Sequence, residues 1–471
     1  MTFPARIALL LPGALLTACS FRMDPVENPV KMPVAWDAAG STTADPVPQD
    51  WWKRFESPVL AQLVDEAMAG NPGISIAQER VRQAERALGL ARDDLLPDLS
   101  VNGSTSRTRN SVSGAPDSTR SATTVTGQLR YDVDLWGGRA ASLRASKASL
   151  TGTRYDLDAA RLTLTANVAT QYFQLLSIRA RVAIARENLA VAERLLRIVD
   201  ARYRNGVARQ LDLSQQTTSV LQQRTNLIPL EAQMRQTETA LGLLLGRVPQ
   251  DFRLEGESFE RIAIPSVQPW LPSELLLRRP DIAAAETDLS AAHANIAVAR
   301  ANLLPGAISL TATGNRASAE LLSLANATST LSLGGALSIV ESVFTFRARN
   351  AQLANARSNE FITLQNYAAS IRTALKNVDD SLANAQTNQR REESQRAVVE
   401  QAQRALTLAE AAYREGSGDL SSTLDAQRTL FNAQDQLSQI RLSRLNSAID
   451  LYVALGGGWS PATGEALAAK Q

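Results

Sequence analysis

Asn71-Pro72-Gly73-Ile74 reappears 208 residues later as Arg279-Pro280-Asp281-Ile282, and the chain keeps that step. Leu95-Leu96-Pro97 returns at the same distance as Leu303-Leu304-Pro305, and Leu135-Trp136-Gly137-Gly138-Arg139 aligns with Val343-Phe344-Thr345-Phe346-Arg347. Tyr203-Arg204-Asn205-Gly206 returns as Tyr413-Arg414-Glu415-Gly416, two residues out of step. Four anchors in one order define an internal duplication, which decides the fold before any local reading does. Two copies are too few for a solenoid. They imply one unit written twice and closed, with further copies, around a common axis.

The 471 residues would suffice for several globular domains, yet only 5% are aromatic. Ala, Gln, Ser, Thr, Asn and Arg fill long stretches, which suits helices with narrow contact seams and wide wetted surfaces. A formal charge of +2 gives no case for nucleic acid, which calls for a clustered basic face. One Cys excludes an intrachain disulfide, and one His argues against His-based metal sites or triads. His293 falls in the Ala-rich run 291–299, where an ordinary helix-surface or seam role is expected.

Arg6 precedes an apolar run from Ile7 to Ala18, too short to span as a helix and right for a signal-peptide core. It ends Leu16-Thr17-Ala18-Cys19, which resembles the bacterial lipobox. On that reading residues 1–18 are removed and Cys19 carries diacylglycerol and an N-acyl chain, the only non-protein groups expected. A plain signal peptide with an incidental Cys is the alternative. Ser20, rather than Asp, is compatible with sorting to the outer membrane of a Gram-negative bacterium. Acyl chains anchor a protein without spanning the bilayer.

The proline-rich, aperiodic stretch 19–57 reads as an extended arm. A helical stretch follows from Pro58 to about Leu95, broken or kinked at Asn71-Pro72-Gly73. Then Leu99, Val101 and Gly103 alternate with polar residues, and so do Val125, Gly127, Leu129, Tyr131 and Val133. Period two with one polar face predicts strands at about 98–107 and 121–134, and the second copy predicts them at about 306–316 and 330–340. A soluble hairpin on a core would show the same alternation, but long polar helices offer it little core. Each run matches the ~9–11 residues that a tilted strand needs to cross a bilayer.

From Ala140 to about Arg202 the chain lacks proline, which predicts a helix of roughly 90 Å. Its second half carries a heptad seam: Leu175, Val182, Leu189, Leu196 and Tyr203 in one position, Ile178, Ala185, Ala192 and Val199 in the other. Residues 203–208 turn the chain, and Leu211 to Leu245 runs back as the partner helix. Copy two repeats this through Arg347 to Arg414, a turn at 413–418, and a return from Ser421 to Leu455, its seam keeping Val399, Leu406 and Tyr413. The units are therefore a first repeat at 58–246, a connector at 247–272, a second repeat at 273–456 and a tail at 457–471. Four strands cannot close a barrel, and open sheet edges are not tolerated in hydrocarbon. An inserted monomer is excluded: a dimer would give eight strands around a filled interior, a trimer twelve around a lumen.

Trp51-Trp52-Lys53-Arg54-Phe55 with Pro58, Leu60 and Leu63 resembles the amino end of TolC-like outer-membrane efflux lipoproteins, the NodT/OprM branch. Leu277 to Ile282, Asp134 to Gly137, Arg202 to Ala208, Leu424 to Arg428 and Leu455 to Trp459 are similar to that family as well. The resemblance covers nearly the whole mature chain. It implies an α+β membrane protein whose homotrimer forms a 12-stranded β-barrel in the outer membrane and a long periplasmic α-helical barrel. It also implies a periplasmic adaptor (membrane fusion protein), an inner-membrane pump of the resistance-nodulation-division class, and export of drugs or other small solutes.

The resemblance implies a periplasmic gate at Asp425, twelve residues after Tyr413, where three carboxylates would ring the axis. Helix capping is the competing role, with Ser421 or Ser422 starting the helix and Asp425 in its first turn. Ser421 stands where relatives place an apolar constriction residue. Tyr203, Arg204, Gly206 and Val207, with Tyr413, Arg414 and Gly416, are expected at the adaptor-docking tips. Gly206 and Gly416 suit a left-handed helix end. Ser417 and a further glycine, Gly418, set the second tip apart. Arg204 and Arg414 are expected to bond across neighbouring helices, and Trp136, Phe344 and Phe346 to form an interfacial belt or pack at the barrel-to-tunnel junction. The function expected is a passive exit duct with no enzymatic chemistry, since no Gly-Lys-Ser/Thr loop, nucleophile motif or metal-ligand spacing is present. A type I secretion duct or a lipid-anchored periplasmic coiled-coil scaffold remains as the alternative.

Overall fold

The computed structural model describes residues 30–33, 36, 47–111, 113–114, 116–254, 257–266, 272–304, 307–338 and 343–461. Cys19 lies outside them. The first repeat comprises α1 (Pro58–Gly70), α2 (Pro72–Asp93), β1 (Asp98–Asn110), β2 (Ser118–Val133), α3 (Gly138–Arg204) and α4 (Gln210–Leu244). The second comprises α5 (Pro280–Leu303), β3 (Ala307–Ser318), β4 (Thr328–Ser338), α6 (Val343–Glu415) and α7 (Leu420–Ala454).

Asn71 explains the break between the first two helices. Ser57 Oγ accepts from Leu60 N at 3.1 Å to start α1, and Asn71 Oδ1 accepts from Gly73 N at 2.7 Å to start α2. Pro58 and Pro72 fill first-turn positions where no amide is needed. The arm does not stay extended to residue 57: Trp51–Phe55 forms a 3-10 turn buried against Phe173 and Tyr452, with Trp51 stacked on Tyr452 at 5.2 Å. Apolar rings in a polar chain gather where there is something to bury them.

The four strands form one antiparallel sheet in the order β1-β2-β3-β4. Register puts Leu99 opposite Leu129 and Leu129 opposite Ala312, with Leu333 next, so one face is apolar. The other face carries Gln128, Arg130 and Asp132, opposite Thr313, Thr311 and Ser309. β1 and β4 each pair along one edge only.

Two helices run the full length, α3 with 67 residues and α6 with 73, or about 100–110 Å at 1.5 Å per residue. Near the sheet α2 and α5 pack on α3, and α5 on α6; beyond them α4 and α7 pack on α3, and α7 on α6. Each chain thus presents four long helices above and below mid-height, where the short α1 also packs on α3. Gly152 lets α5 come close, since a Cβ there would lie 2.8 Å from Thr287 Oγ1.

The heptad seam holds on one side only. Ile178, Ala185, Ala192 and Val199 are buried, but Leu189, Leu196 and Tyr203 are not, and Asn188 and Leu195 take their side. The second stripe is polar. Arg181 pairs with Asp435 at 2.6 Å, and Asn188 Nδ2 donates to Gln434 at 3.3 Å, so α3 meets α7 through Arg181, Asn188 and Leu195, while Arg202 on the same stripe reaches the end of α6 at Tyr413. His293 lies in the α5–α6 seam with Nδ1 against the Glu360 carboxylate, in agreement with the seam role expected of it.

The duplication survives in atomic detail. Asn71 Nδ2 donates to Leu244 O at 2.8 Å, and its counterpart Arg279 donates through Nη1 to Ala454 O at 3.0 Å. A glycine follows two residues beyond each carbonyl, at φ 75° for Gly246 and 85° for Gly456. A Cβ on Gly246 would fall 2.2 Å from Gly70 O, and one on Gly456 would fall 1.8 Å from Arg278 O. The connector is bound farther along α7, where Arg441 donates to the carbonyls of Phe259, Glu260 and Ile262. Arg441, Arg396 and Arg444 also converge on buried Glu392 at 3.0, 2.6 and 2.9 Å. Burial pushes the Glu392 carboxyl up, but the three guanidiniums outweigh it and hold it below the ordinary glutamate range.

Gly206→Ala and Gly456→Ala separate conformational cost from collision. Both glycines have positive φ, but nothing lies within 4 Å of a Cβ at Gly206. Gly206→Ala should cost about 1 kcal/mol in a thermal melt, whereas Gly456→Ala should abolish the folded protein. Glu392→Gln should destabilise by about 3 kcal/mol, because it leaves partly buried guanidiniums uncompensated. Since the Glu392 pKa is lowered by folding, its contribution is present above the ordinary glutamate range and is lost as pH falls through the depressed value. The variant's acid melting curve should therefore lack that last decline.

Candidate functional site at the helix tips

Both long hairpins end in the same turn. Val207 N and Ala208 N donate to Arg202 O at 2.8 and 3.2 Å; Ser417 N and Gly418 N donate to Ala412 O at 3.0 and 3.0 Å. Gly206 and Gly416 supply the left-handed residue, at φ 74° and 82°. Gly418 is needed for closeness, since a Cβ there would lie 2.9 Å from Ala412 Cβ.

The return helices are capped by opposite means. At the first tip Asp212, inside α4, accepts from Arg209 N at 3.0 Å and from the Arg209 guanidinium. At the second tip Asp419 stands at the cap and accepts from Ser422 N at 2.7 Å. The Arg209 backbone and side-chain bonds hold the Asp212 carboxyl below its ordinary range, and those of Ser422 do the same for Asp419. Val207 and Leu211 are exposed at the first tip, Glu415 and Ser417 at the second.

The two tip tyrosines are not equivalent. Tyr203 is 38% exposed and Tyr413 only 6%, packed with Leu195, Val199 and Leu420. Tyr413 therefore packs between the two hairpins, whereas Tyr203 stays open to solvent. Burial raises its hydroxyl pKa. The arginines also differ from expectation. Arg204 pairs with Asp200 in its own helix at 2.7 Å, and Arg414 Nε donates to Glu410 O, also in its own helix, at 3.4 Å. Long side chains on exposed helix ends reach a partner one turn back more readily than one across a gap. The cross-hairpin link belongs to Arg202, which donates to Tyr413 O at 2.5 Å and lies 4.8 Å from the ring centroid. The spacing that placed Leu195 seven residues before it was the available signal.

Asp425 does not cap its helix. Asp419 does, so Asp425 falls in the second turn, 62% exposed by side chain and ion-paired with Arg428. Ser421, Asp425 and Arg428 form one exposed stripe on α7, opposite the buried Leu420, Thr423, Gln427 and Leu430. Two carboxamides that the motif reading did not single out are buried behind the tips. Gln216 Nε2 donates to Ala192 O at 2.7 Å, whereas neither polar atom of Gln427 has a partner among the described residues. Trp136 and Phe346 are exposed at the sheet-to-helix junction, and the Phe344 side chain lies outside the described residues.

A sheet with one apolar and one polar face, continued by two helices about 100 Å long that each turn back at the tip, defines a class of outer-membrane conduit. The chain belongs to the outer membrane efflux protein family, matching it over residues 63–247 and 271–457, one segment in each repeat. It is 37% identical over 470 residues to the pyoverdine export outer membrane protein OpmQ of Pseudomonas putida, covering 98% of each chain. It is 30% identical to the toluene efflux pump outer membrane protein TtgC, also of Pseudomonas putida, covering 98% of this chain and 97% of the relative. Among solved structures, the outer-membrane channel OprN superposes with a TM-score of 0.83 at 26% identity, over 93% of this chain and 99% of that one. The open-state MtrE outer membrane channel of Neisseria gonorrhoeae gives 0.82 at 25%, over 93% and 97%.

Arg202→Ala should loosen the tips without unfolding the tunnel. Amide exchange in residues 405–425 should rise about tenfold, the equivalent of one charge-assisted hydrogen bond, while the core around Trp51 and Tyr172 keeps its protection.

Proposed function

We propose that the chain is the outer-membrane exit duct of a tripartite efflux system, working as a homotrimer and passively conducting small solutes. The observation that carries this reading is the four-stranded sheet with two unpaired edges and one apolar face. Three copies would close twelve strands, and four helices per level would make a twelve-helix tunnel below them. Among the described residues no helix is long and apolar enough to cross a membrane. The apolar strand face supports insertion over a purely periplasmic scaffold. The tip turns are the surfaces for a periplasmic adaptor and, through it, an inner-membrane pump. Cys19 would add a lipid anchor. Relatives are named for cargo as different as pyoverdine, toluene and cations, which supports a duct whose selectivity lies mostly with its partners.

The gate is read as a zwitterionic ring rather than an acidic one, because Arg428 accompanies each Asp425. Planar-bilayer recordings of the purified protein test both duct and ring. Asp425→Ala should shift ion preference toward anions and Arg428→Ala toward cations, each by several-fold, the local charge changing sign between them. Pores indifferent to both substitutions would remove the ring, and no pores from a stable trimer at any voltage would count against the duct.

A further inference from the structure

On the apolar face of the sheet, register fixes what lies above the apolar band. Val125 stands opposite Gly103 and Arg316, Thr123 opposite Thr105 and Ser318, and Ser121 opposite Arg107. The band from Val133 to Val125 covers about 26 Å of strand, or roughly 20 Å of height at a tilt of about 40°, most of an outer-membrane apolar belt. Toward the turns that join β1 to β2 and β3 to β4, the same face becomes cationic. Arg109 is neutralised by Asp117 at 2.5 Å. Arg107 and Arg316 have no ion pair or hydrogen bond among the described residues.

The β3–β4 turn is folded onto this face. Thr123 Oγ1 donates to Glu320 O at 2.7 Å and accepts from Leu322 N at 2.9 Å, with the Thr105 hydroxyl 3.1 Å away. Asn326 Nδ2 donates to Glu320, the turn's one carboxylate, at 2.9 Å. These bonds hold Leu322 at φ 57°, with its side chain 79% exposed and Leu321 exposed beside it. A left-handed leucine costs about 1 kcal/mol, and packing within the chain gives nothing back for it. Strain maintained by several bonds at an exposed apolar residue points to a partner outside the chain.

We propose that Arg107, Arg316 and the Leu321–Leu322 turn form a binding rim for a phosphorylated lipid of the outer leaflet. The inference rests on the barrel reading above, which turns this face toward lipid. The leucines enter the top of the acyl layer, and the guanidiniums take the headgroup, Arg316 reaching up from its deeper row and Arg107 standing above, each able to bind phosphate oxygens in pairs. Their rows are four residues apart along β2, about 13 Å, so the two arginines flank the turn from opposite sides.

Native mass spectrometry of the purified protein, titrated with diphosphorylated lipid A and with its dephosphorylated form, tests this. The phosphorylated form should bind at least tenfold tighter. Arg107→Gln and Arg316→Gln should each weaken it by about tenfold, as loss of a charge-assisted contact does, and leave the dephosphorylated form unaffected. Leu322→Gly should keep or raise the melting temperature, since glycine accepts that conformation, yet weaken both lipids. Equal binding of the two lipids, or double-variant binding like that of wild type, overturns the proposal. So does a Leu322→Gly protein that binds as tightly as wild type. Wild-type protein that fails to insert into liposomes overturns the barrel and this inference together; protein that inserts without phosphate preference overturns the inference alone.

Discussion

The outer edges of β1 and β4 carry backbone amides and carbonyls with no strand partner among the described residues. In hydrocarbon each such group costs several kcal/mol, so one open edge of a dozen residues exceeds the net stability of an ordinary domain. That constraint orders the rest of the molecule. In the trimer proposed above, the sheet would enter a bilayer only as other copies complete it, joining insertion to assembly. The helices below would then be shared evenly around that ring, and four long helices above and below the mid-height break suit such sharing.

What keeps each chain ready for that event is the pair of staples at mid-height. In both repeats a side chain just before a proline reaches the last carbonyl of the returning helix, and a glycine two residues on lets the backbones touch. The motifs Asn71-Pro72-Gly73 and Arg279-Pro280-Asp281 are therefore crossing points as well as helix starts. The first uses a neutral carboxamide. The second uses a guanidinium that Asp281 also holds, at 2.6 Å.

Much of this was legible in the sequence because it depends on period and punctuation. Alternation revealed both strand pairs, proline-free length revealed α3 and α6, and Gly206 and Gly416 marked the turns. What was hidden depends on neighbours. Arg181, Asn188 and Arg202 lie on a heptad position but are polar, and a search for apolar seams passes over them. Tyr203 and Tyr413 sit in nearly the same local string, yet only Tyr413 is covered by the other hairpin. Ser421 and Ser422 look like caps, which would put Asp425 in the first turn, whereas Asp419 takes the capping bond and shifts the helix start.

The unequal tips carry a consequence for symmetry. Three chains of two repeats approximate sixfold order, and the matching turns at Gly206 and Gly416 make the approximation close. Their caps break it: one kind of tip displays Arg209 with Val207 and Leu211, the other Asp419 with Ser417 and Glu415. In the proposed trimer these alternate around the rim. A docking ring of six identical subunits would meet them as two distinct sets of three, and could engage all six only by adopting two conformations itself.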